Sequence, residues 1–267
     1  MPPASARNLQ LALKDLREGL GAAYVWSRLG LLDIKQRYRR SVLGPFWLTI
    51  SAGVLVGTMG PLYGKLFNLD LSQYVPYLTV SYVLWVFIAG LTNDACTAYI
   101  IAENYIKQVR LPFTVYVMRV VWKNFLIFLH NLAIVAVVLA FFAPRADWGM
   151  LLAPLGILAI FVNGIWAAAL LGMLCARFRD IPPIVASLLQ IAFFLTPILW
   201  KPGMLGRHQW AADWNPLFHF LEIARRPLLG EAFPATSWLV VLLATVAGCA
   251  ITLAAFSRFR ARIAYWV

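Results

Sequence analysis

Long apolar runs alternate with short polar segments along this chain. Six runs reach about 20 residues, the length that a helix needs to cross roughly 30 Å of hydrocarbon. They cover residues 42–62, 74–93, 115–142, 150–176, 181–200 and 238–256. The runs lack the two-residue alternation of barrel strands, and a helix satisfies its own backbone hydrogen bonds in lipid. The pattern therefore predicts an all-α membrane protein with six transmembrane helices.

The segment before the first run is charged but carries apolar residues at helical spacing. Tyr24, Leu31, Ile34 and Tyr38 form one apolar stripe, with basic residues between it and a second stripe. This pattern predicts an amphipathic helix over residues 24–38 that lies along the membrane interface.

The connection between the fifth and sixth runs, residues 201–237, is too apolar for a plain linker. Residues 217–228 predict a short helix, with Pro216 near its start and Gly230 beyond its end. This helix is too short to span, and it carries Glu222, Arg225 and Arg226. We therefore expect a re-entrant or interface-lying helical pair on the outer side.

Composition and charge place the whole chain in a membrane. It is 62% hydrophobic and 13% charged, with a formal net charge of +12, and its mean hydropathy is +0.75. With both termini on the cytoplasmic side of six spans, about three quarters of the 23 lysines and arginines face the cytoplasm, as the positive-inside rule requires. The basic residues flank spans rather than forming one soluble patch, so nucleic acid is not expected as a partner.

We expect a single domain over residues 1–267 in the bacterial inner membrane. It would comprise a cytoplasmic segment (1–41), a six-span core (42–256) and a cytoplasmic tail (257–267). The N-terminal segment has no apolar core, so no cleaved signal peptide is predicted.

No catalytic, nucleotide or metal motif is present in the sequence. The string nearest to a phosphate-binding loop, residues 59–66, begins with Met59 instead of glycine and ends with Leu66 instead of Ser or Thr. Cys96, Cys175 and Cys249 lack the spacing of metal ligands. We therefore expect no metal, no cofactor and no ATP hydrolysis in this chain.

Two ionisable residues lie at membrane depth, where such groups invite a functional hypothesis. His130, in the third run, could contact a polar substrate or could hydrogen-bond between helices. Asp94, at the cytoplasmic end of the second run, is expected to pair with a base or to cap a helix. Aromatic residues could line a path for sugars, although helix packing uses the same residue types. With His130, the candidates for that path are Tyr82, Trp85, Trp166, Phe193, Phe194 and Trp200.

Six short strings occur in order along the chain, at residues 37–47, 102–112, 176–182, 194–198, 215–217 and 258–266. Together they resemble the permease subunit of ATP-binding-cassette exporters of bacterial polysaccharides, the type-2 family that includes the Wzm and KpsM proteins. The O-antigen branch is more similar than the capsule branch.

The resemblance implies roles for three cytoplasmic segments. The first is a coupling helix that docks into a separate ATPase and includes Glu103, Asn104, Tyr105, Lys107 and Arg110. The second is a gate where Arg37, Arg39 and Arg40 meet the pyrophosphate of a lipid-linked glycan, or anchor headgroups only. The third is a second cytoplasmic turn, which contacts the same partner or braces the chain internally and contains Arg177, Arg179 and Asp180.

The resemblance also implies partners and a mechanism. A second copy of the chain and two ATPase subunits, which bind ATP and Mg, would complete the exporter. An undecaprenyl-pyrophosphate-linked or other lipid-linked glycan would thread through a channel on the dimer axis. The main alternative is a membrane-embedded enzyme acting on lipid-linked sugars, with Asp94, His130, Glu222 or Asp213 as its catalytic groups. An ion-coupled secondary transporter is a third hypothesis, but the inverted repeats and buried acids that it predicts are not evident.

Overall fold

A computed structural model describes residues 4–39, 46–142 and 148–267 of the chain. These residues form twelve α-helices and three short 3₁₀ segments, and they contain no strand. The helices are α1 (Ala4–Gly21), α2 (Ala23–Arg37), α3 (Phe46–Leu66), α4 (Leu71–Cys96), α5 (Glu103–Gln108), α6 (Phe113–Phe142), α7 (Ala153–Arg177), α8 (Ile181–Leu195), α9 (Trp210–Asp213), α10 (Pro216–Leu228), α11 (Ala235–Phe259) and α12 (Ile263–Trp266). The all-α prediction is confirmed.

Four of the described helical segments are long and apolar enough to cross a membrane. They are Leu71–Cys96, Phe113–Phe142, Gly149–Arg177 and Ala235–Trp266. Each contains one of the predicted runs, namely the second, third, fourth and sixth. The protein is therefore a multi-pass membrane protein by helix length and composition.

The first and fifth predicted spans differ in extent from the sequence-based bounds. Helix α3 begins at Phe46, and residues 42–45 of the first run lie outside the described part of the chain. Helix α8 ends at Leu195, five residues before the predicted end at residue 200. Thr196 is extended because the ring of the following Pro197 disfavours the helical conformation at this position.

Helix α4 lies at the centre of the bundle. It packs against α3, α6, α7, α8 and α10, and its buried residues lie all around its circumference. A helix that is apolar on every side is stable only when other helices or lipid surround it. This helix therefore sets the positions of the segments at both of its ends.

The N-terminal segment contains one more helix than predicted. Helix α1 packs against α6 and α11 through Ala12, Asp15 and Gly19. These residues are small or acidic, so the packed face of α1 produces no apolar periodicity. The predicted interface helix is present as α2, but it packs on α6 through Gly30 and Ile34, while Tyr24 of the predicted stripe is largely exposed.

The predicted helix of the outer connection is confirmed as α10, from Pro216 to Leu228. The segment before it contains a 3₁₀ stretch, Pro202–His208, and the four-residue α9. Gly206, with a φ of 53°, interrupts the helical conformation within that stretch. The expected helical pair is therefore one full helix preceded by short turns.

Candidate functional site

The predicted coupling segment forms a separate short helix, α5, between α4 and α6. Lys107 Nζ lies 2.6 Å from Glu103 Oε1, one helical turn away, and both side chains are about half exposed. The hydrogen bond from Lys107, together with its charge, lowers the pKa of Glu103. The pair is therefore ionised at neutral pH and stabilises this exposed helix modestly.

One side of this segment exposes large apolar side chains. Ile101, Tyr105 and Val109 follow one another every four residues, and their exposed fractions are 64%, 47% and 47%. Asn104 and Arg110 are also exposed beside them. Residues spaced by four lie on the same side of a helical segment, so these side chains form one apolar surface with a polar rim. A surface of this composition is typical of a protein–protein contact.

A buried carboxylate fixes the chain where it leaves the coupling segment. Asp15 of α1 accepts hydrogen bonds from the backbone N–H groups of Phe113 and Thr114, each at 3.1 Å, and from the Thr114 hydroxyl at 2.9 Å. It also accepts a hydrogen bond from Arg260 Nε at 2.8 Å. Asp15 thus caps α6 from another helix and connects α1, α6 and the C-terminal tail.

Asp15 was missed by the sequence analysis. Its partners are 98, 99 and 245 residues away along the chain. The sequence near α6 gives only two signals that its N-terminus needs a distant acceptor. The helix follows Pro112 directly, and Phe113 and Thr114 have no carboxylate that could cap it. Neither signal identifies which distant residue supplies the acceptor.

A charged cavity of about 240 Å³ lies where α2, α4 and α6 meet. Arg119 binds both carboxylate oxygens of Asp33, at 2.6 and 2.5 Å. Asp94 forms a salt bridge with Lys123 Nζ and accepts a hydrogen bond from Asn124 Nδ2, each at 2.8 Å. The prediction that Asp94 pairs with a base is therefore confirmed. These ion pairs neutralise the charges that α4 and α6 carry inside the bundle.

Of the three predicted gate arginines, Arg37 lines this cavity. Arg39 is exposed in the turn that follows α2, and Arg40 lies outside the described residues. Arg37 forms no ion pair with any described residue, whereas Arg119 and Lys123 are each paired with an aspartate. Three basic side chains thus line the cavity. Two are paired with aspartates, and the third, Arg37, has no ion pair with a described residue.

The predicted path residues fall into three separate groups. Trp85 and Phe193 pack at a centroid distance of 5.8 Å, Phe193 and Phe194 at 5.2 Å, and Trp200 Nε1 donates to the Phe194 carbonyl at 3.0 Å. Tyr82 lies on α4 three residues before Trp85, hence on the same side of the helix. Trp85, Phe193, Phe194 and Trp200 form an aromatic cluster between α4 and α8, and Tyr82 lies beside Trp85 on α4.

The other two predicted path residues lie elsewhere. Trp166 donates from Nε1 to Asn163 Oδ1 at 2.8 Å, at the contact between α7 and α11. His130 donates from Nδ1 to the Leu126 carbonyl at 2.8 Å and meets the ring of Phe46 edge-on. The structure therefore brings neither residue to the aromatic cluster.

The second cytoplasmic turn contacts the C-terminal tail. Arg179 donates to the carbonyl of Trp266 at 3.4 Å, and the guanidinium of Arg177 lies 5.6 Å from the centroid of the Trp266 ring. Asp180 precedes α8 and makes no side-chain hydrogen bond at its N-terminus. The tail helix α12 also contacts α5. The tail therefore lies between the turn and the coupling segment.

A second buried charged group, whose mutual contacts the sequence analysis did not predict, holds helix α10. Arg225 is 1% exposed and donates to Ser81 Oγ at 2.8 Å, to the Pro197 carbonyl at 2.6 Å and to Glu222. Its guanidinium lies 4.4 Å from the centroid of the Tyr77 ring. Arg226 also binds Glu222. These contacts attach α10 to α4 and to the end of α8.

Two of the short sequence strings meet beside this group. Asn215 caps α10 by accepting from the Leu217 N–H at 2.9 Å, and its Nδ2 donates to Thr196 Oγ1 at 2.9 Å. Residues 194–198 and 215–217, which are separate in the sequence, therefore form one structural unit with Arg225.

Comparison with known families identifies the architecture. The profile of the ABC-2 type transporter family matches residues 27–229, which is more than half of the chain. The chain belongs to the ABC-2 type transporter family. The matched region includes the charged cavity, α5, the aromatic cluster and the group around Arg225.

Similar proteins include O-antigen export system permeases named RfbA. One from Klebsiella pneumoniae is 22% identical over 241 residues, which cover 87% of this chain and 90% of the relative. A second from the same organism is 24% identical over 190 residues, covering 69% and 72%. One from Myxococcus xanthus is 25% identical over 172 residues, covering 63% and 65%.

Membership of the ABC-2 family makes this chain a transporter subunit and not an enzyme. The arrangement of its acids agrees, because the groups suggested for a lipid-sugar enzyme do not converge. Seventeen residues of α4 separate Tyr77, beside Glu222 and Arg225, from Asp94, a rise of about 25 Å. An ABC-2 subunit works in a membrane with an ABC ATPase as its partner. The exposed surface of α5 is a suitable place for that contact.

Proposed function

We propose that this chain is the permease of an ATP-driven exporter that moves a lipid-linked polysaccharide, of the O-antigen class, across the bacterial inner membrane. The observation that carries the proposal is the family match together with its permease relatives, which extend over most of the chain. The exposed surface of α5, on a chain whose sequence has no phosphate-binding loop, supports an external source of energy.

The proposed topology has six spans with both termini in the cytoplasm. Helices α3 and α8 complete the set with the four long apolar segments. The 15 residues of α8 rise only about 22 Å, so this span needs the extended residues after Leu195 to approach the outer surface. Helix α10 would be re-entrant. Its buried face and the ion pair between its own Glu222 and Arg225 are compatible with membrane depth, where burying an unpaired charge costs free energy.

The proposed assembly is a homodimer with two ATPase chains. Helix α8 has no fully buried residue, and Ile184, Leu188, Ile191 and Leu195 are all exposed along one side. This side, next to the aromatic cluster, would face the second copy or the channel. A channel on the dimer axis would then be lined in part by Phe194, which is exposed.

Energy would enter through α5. ATP and Mg bound by the partner would drive the movement of α5, and residues 109–112 would carry this movement to the start of α6, which Asp15 holds. The lipid pyrophosphate would enter first at the charged cavity. Arg37 is the basic side chain there that has no described ion-pair partner, and a guanidinium binds phosphate oxygens in pairs.

The direct test is depletion of this chain in the native bacterium. We expect loss of the surface polysaccharide and accumulation of its lipid-linked precursor on the cytoplasmic side, with recovery when the wild-type chain is restored. Normal surface polysaccharide after depletion would contradict the proposed function, as would absence of the precursor itself, since the chain would then act in synthesis.

A further inference from the structure

Arg119, on α6, contacts both the coupling segment and helix α2. It lies six residues, or about 9 Å, beyond Phe113 at the start of α6. Its guanidinium binds both carboxylate oxygens of Asp33 on α2 and lies 5.9 Å from the centroid of the Tyr105 ring on α5. A cation–π contact extends to about 6 Å from the ring centroid. One side chain therefore connects α5 to α2.

The packing of α2 on α6 includes the same position. A Cβ atom at Gly30 would lie 3.1 Å from the carbonyl oxygen of Arg119, so the two backbones approach closely there. Trp26 of α2 meets Trp122 of α6 edge-on, with ring centroids 5.6 Å apart. Among the described residues, the pair of Asp33 with Arg119 is the one ion pair that joins α2 to another helix. The exposed fractions of its side chains are 18% and 12%, so solvent screens it less than a surface pair.

The hydrogen bonds to Asp33 depend on the orientation of the guanidinium. A planar guanidinium donates two parallel hydrogen bonds to one carboxylate only when its edge faces both oxygens. The guanidinium of Arg119 lies over the ring of Tyr105, and this contact restricts its orientation. If Tyr105 moves with α5, the restraint is lost and the paired hydrogen bonds to Asp33 weaken.

Helix α2 forms one wall of the charged cavity. Asp33 and Arg37 line the cavity from α2, and Arg119 lines it from α6. Ile101, which belongs to the exposed apolar surface around α5, lines it as well. The coupling segment therefore borders the same cavity, and release of Asp33 would let α2 move and widen it.

We propose that Arg119 is a positioning residue through which α5 controls α2. Without nucleotide, Tyr105 and Asp33 together hold the guanidinium, and α2 stays against α6. When the partner ATPase moves α5, the pair with Asp33 opens and α2 moves away from the charged cavity. This inference rests on the proposed function, because it needs an ATPase that moves α5.

The test measures the position of α2 in the full-length chain, alone and in complex with the ATPase encoded beside its gene. Nitroxide labels are attached at Gln36→Cys on α2 and Leu239→Cys on α11, two exposed positions. The chain also carries Cys249→Ser, because Cys249 is exposed whereas the other two cysteines are buried. Excess unlabelled chain ensures that most complexes hold one labelled copy. Pulsed electron–electron resonance then gives the distance between the labels, and we expect ATP with vanadate to shift it in the wild-type complex.

Variants of the ion pair should release α2 without nucleotide. Asp33→Asn and Arg119→Gln should each show the ATP–vanadate distance already in the chain alone. The charge exchange, Asp33→Arg with Arg119→Asp, forms the ion pair again and should recover the resting distance, which a merely misfolded variant would not. Arg28→Gln is the matched control on α2, because the guanidinium of Arg28 lies near the Tyr24 ring of its own helix. It should behave like the wild type.

The role of the Tyr105 ring is tested by a conservative pair of variants. Tyr105→Phe keeps a ring beside the guanidinium and should keep the resting distance, whereas Tyr105→Leu should show the released distance. Both are measured in the chain alone, so that an effect on partner binding does not enter.

Four results would overturn the proposal while leaving the proposed function intact. They are an unchanged distance in a wild-type complex that hydrolyses ATP, a resting distance in Asp33→Asn, no recovery on charge exchange, and equal behaviour of the two Tyr105 variants. If no ATPase co-purifies with the wild-type chain, the proposed function fails, and this inference fails with it.

Discussion

Asp15 and Arg225 are buried, hydrogen-bonded side chains that connect segments far apart in the sequence. Asp15 organises the end of the bundle that carries α5, and Arg225 organises the opposite end around α10. Removing one member of a buried charged group leaves its partners without a counter-charge, which is more destabilising than the loss of a surface pair. We therefore predict a loss of stability for variants of each group separately.

The first prediction concerns Asp15→Asn. The amide keeps the shape but has only one acceptor oxygen and no charge, so two or more hydrogen bonds from Phe113, Thr114 and Arg260 are weakened. We expect a loss of about 1–3 kcal/mol in stability, measured as a lower thermal midpoint in detergent. Glu18→Gln on the same helix is the control, because Glu18 forms an exposed pair with Lys14 that is worth well under about 1 kcal/mol. Equal midpoints for the two variants would contradict the role of Asp15.

The second prediction concerns Glu222 and Arg225. Glu222→Gln leaves the buried guanidinium of Arg225 without a carboxylate and should destabilise the chain by about 3–5 kcal/mol. Arg225→Met should cost less, because Glu222 keeps its ion pair with Arg226. The double variant should lose less than the sum of the two single variants, because it removes the buried guanidinium and its carboxylate together. A thermal-midpoint cycle of the four proteins measures this difference. Additive effects would show that the two side chains do not stabilise α10 as a pair.

The third prediction concerns Arg37, the basic residue that the charged cavity leaves without a described ion-pair partner. Arg37→Gln should reduce export of the polysaccharide by about tenfold or more, since a charge-assisted bond to phosphate is lost, of roughly 1.5–3 kcal/mol. Arg28→Gln, on the same helix but with its guanidinium near the Tyr24 ring, is the control. If both variants export equally well, headgroup anchoring alone explains Arg37.

At the level of helices, α7 and α10 approach each other closely at Gly156. A Cβ atom at this position would lie 2.3 Å from the carbonyl oxygen of Ile223 and 2.9 Å from the Ala224 Cα, both backbone atoms that cannot move independently. The absence of a side chain at Gly156 therefore sets the distance between a membrane helix and the outer helix α10.

The fourth prediction follows from this contact. Gly156→Ala should displace α10 and destabilise the chain, despite the higher helix propensity of alanine. Gly57→Ala is the matched control, since a Cβ there would have no neighbour within 4 Å. We expect the thermal midpoint to fall in the first variant and to stay equal or rise in the second. Similar midpoints would show that α10 adjusts freely.

The sequence predicted the helices that consist of long apolar runs. It missed α1, whose packed face consists of small and acidic residues. The second, third, fourth and sixth runs were found because about 20 apolar residues in a row have few other structures available. Helix α1 was missed because Ala12, Asp15 and Gly19 form its packed face. The end of α8 was placed five residues too late, because the run stays apolar beyond the point where Pro197 ends the helix.

For the site, local chemistry was predictable and long-range pairing was not. The pairing of Asp94 with a base follows from residue type and position along a span. The group around Arg225 depends on contacts across 28 and 144 residues, which no local pattern specifies. The split of the seven proposed path residues into three groups likewise depends on which side of each helix faces its neighbour.

At the level of the whole molecule, the chain is a transporter subunit, and in the proposed mechanism its energy comes from another chain. In the proposed mechanism, a partner contacts the exposed surface around α5, and residues 109–112 connect α5 to the start of α6, where Asp15 binds the backbone. Movement of α5 should therefore reach α6 through this short connection.

The most direct test of this account is the ATPase activity of this chain with the ATPase encoded beside its gene. The pair should co-purify, with ATP hydrolysed only in the presence of the partner, and changing Glu103 and Arg110 together to alanine should split or uncouple the pair. Changing Lys14 and Glu18, an exposed ion pair on α1, together to alanine should leave the activity intact. If no ATPase co-purifies with the wild type, or if both double variants behave alike, the assignment of α5 as the coupling helix fails.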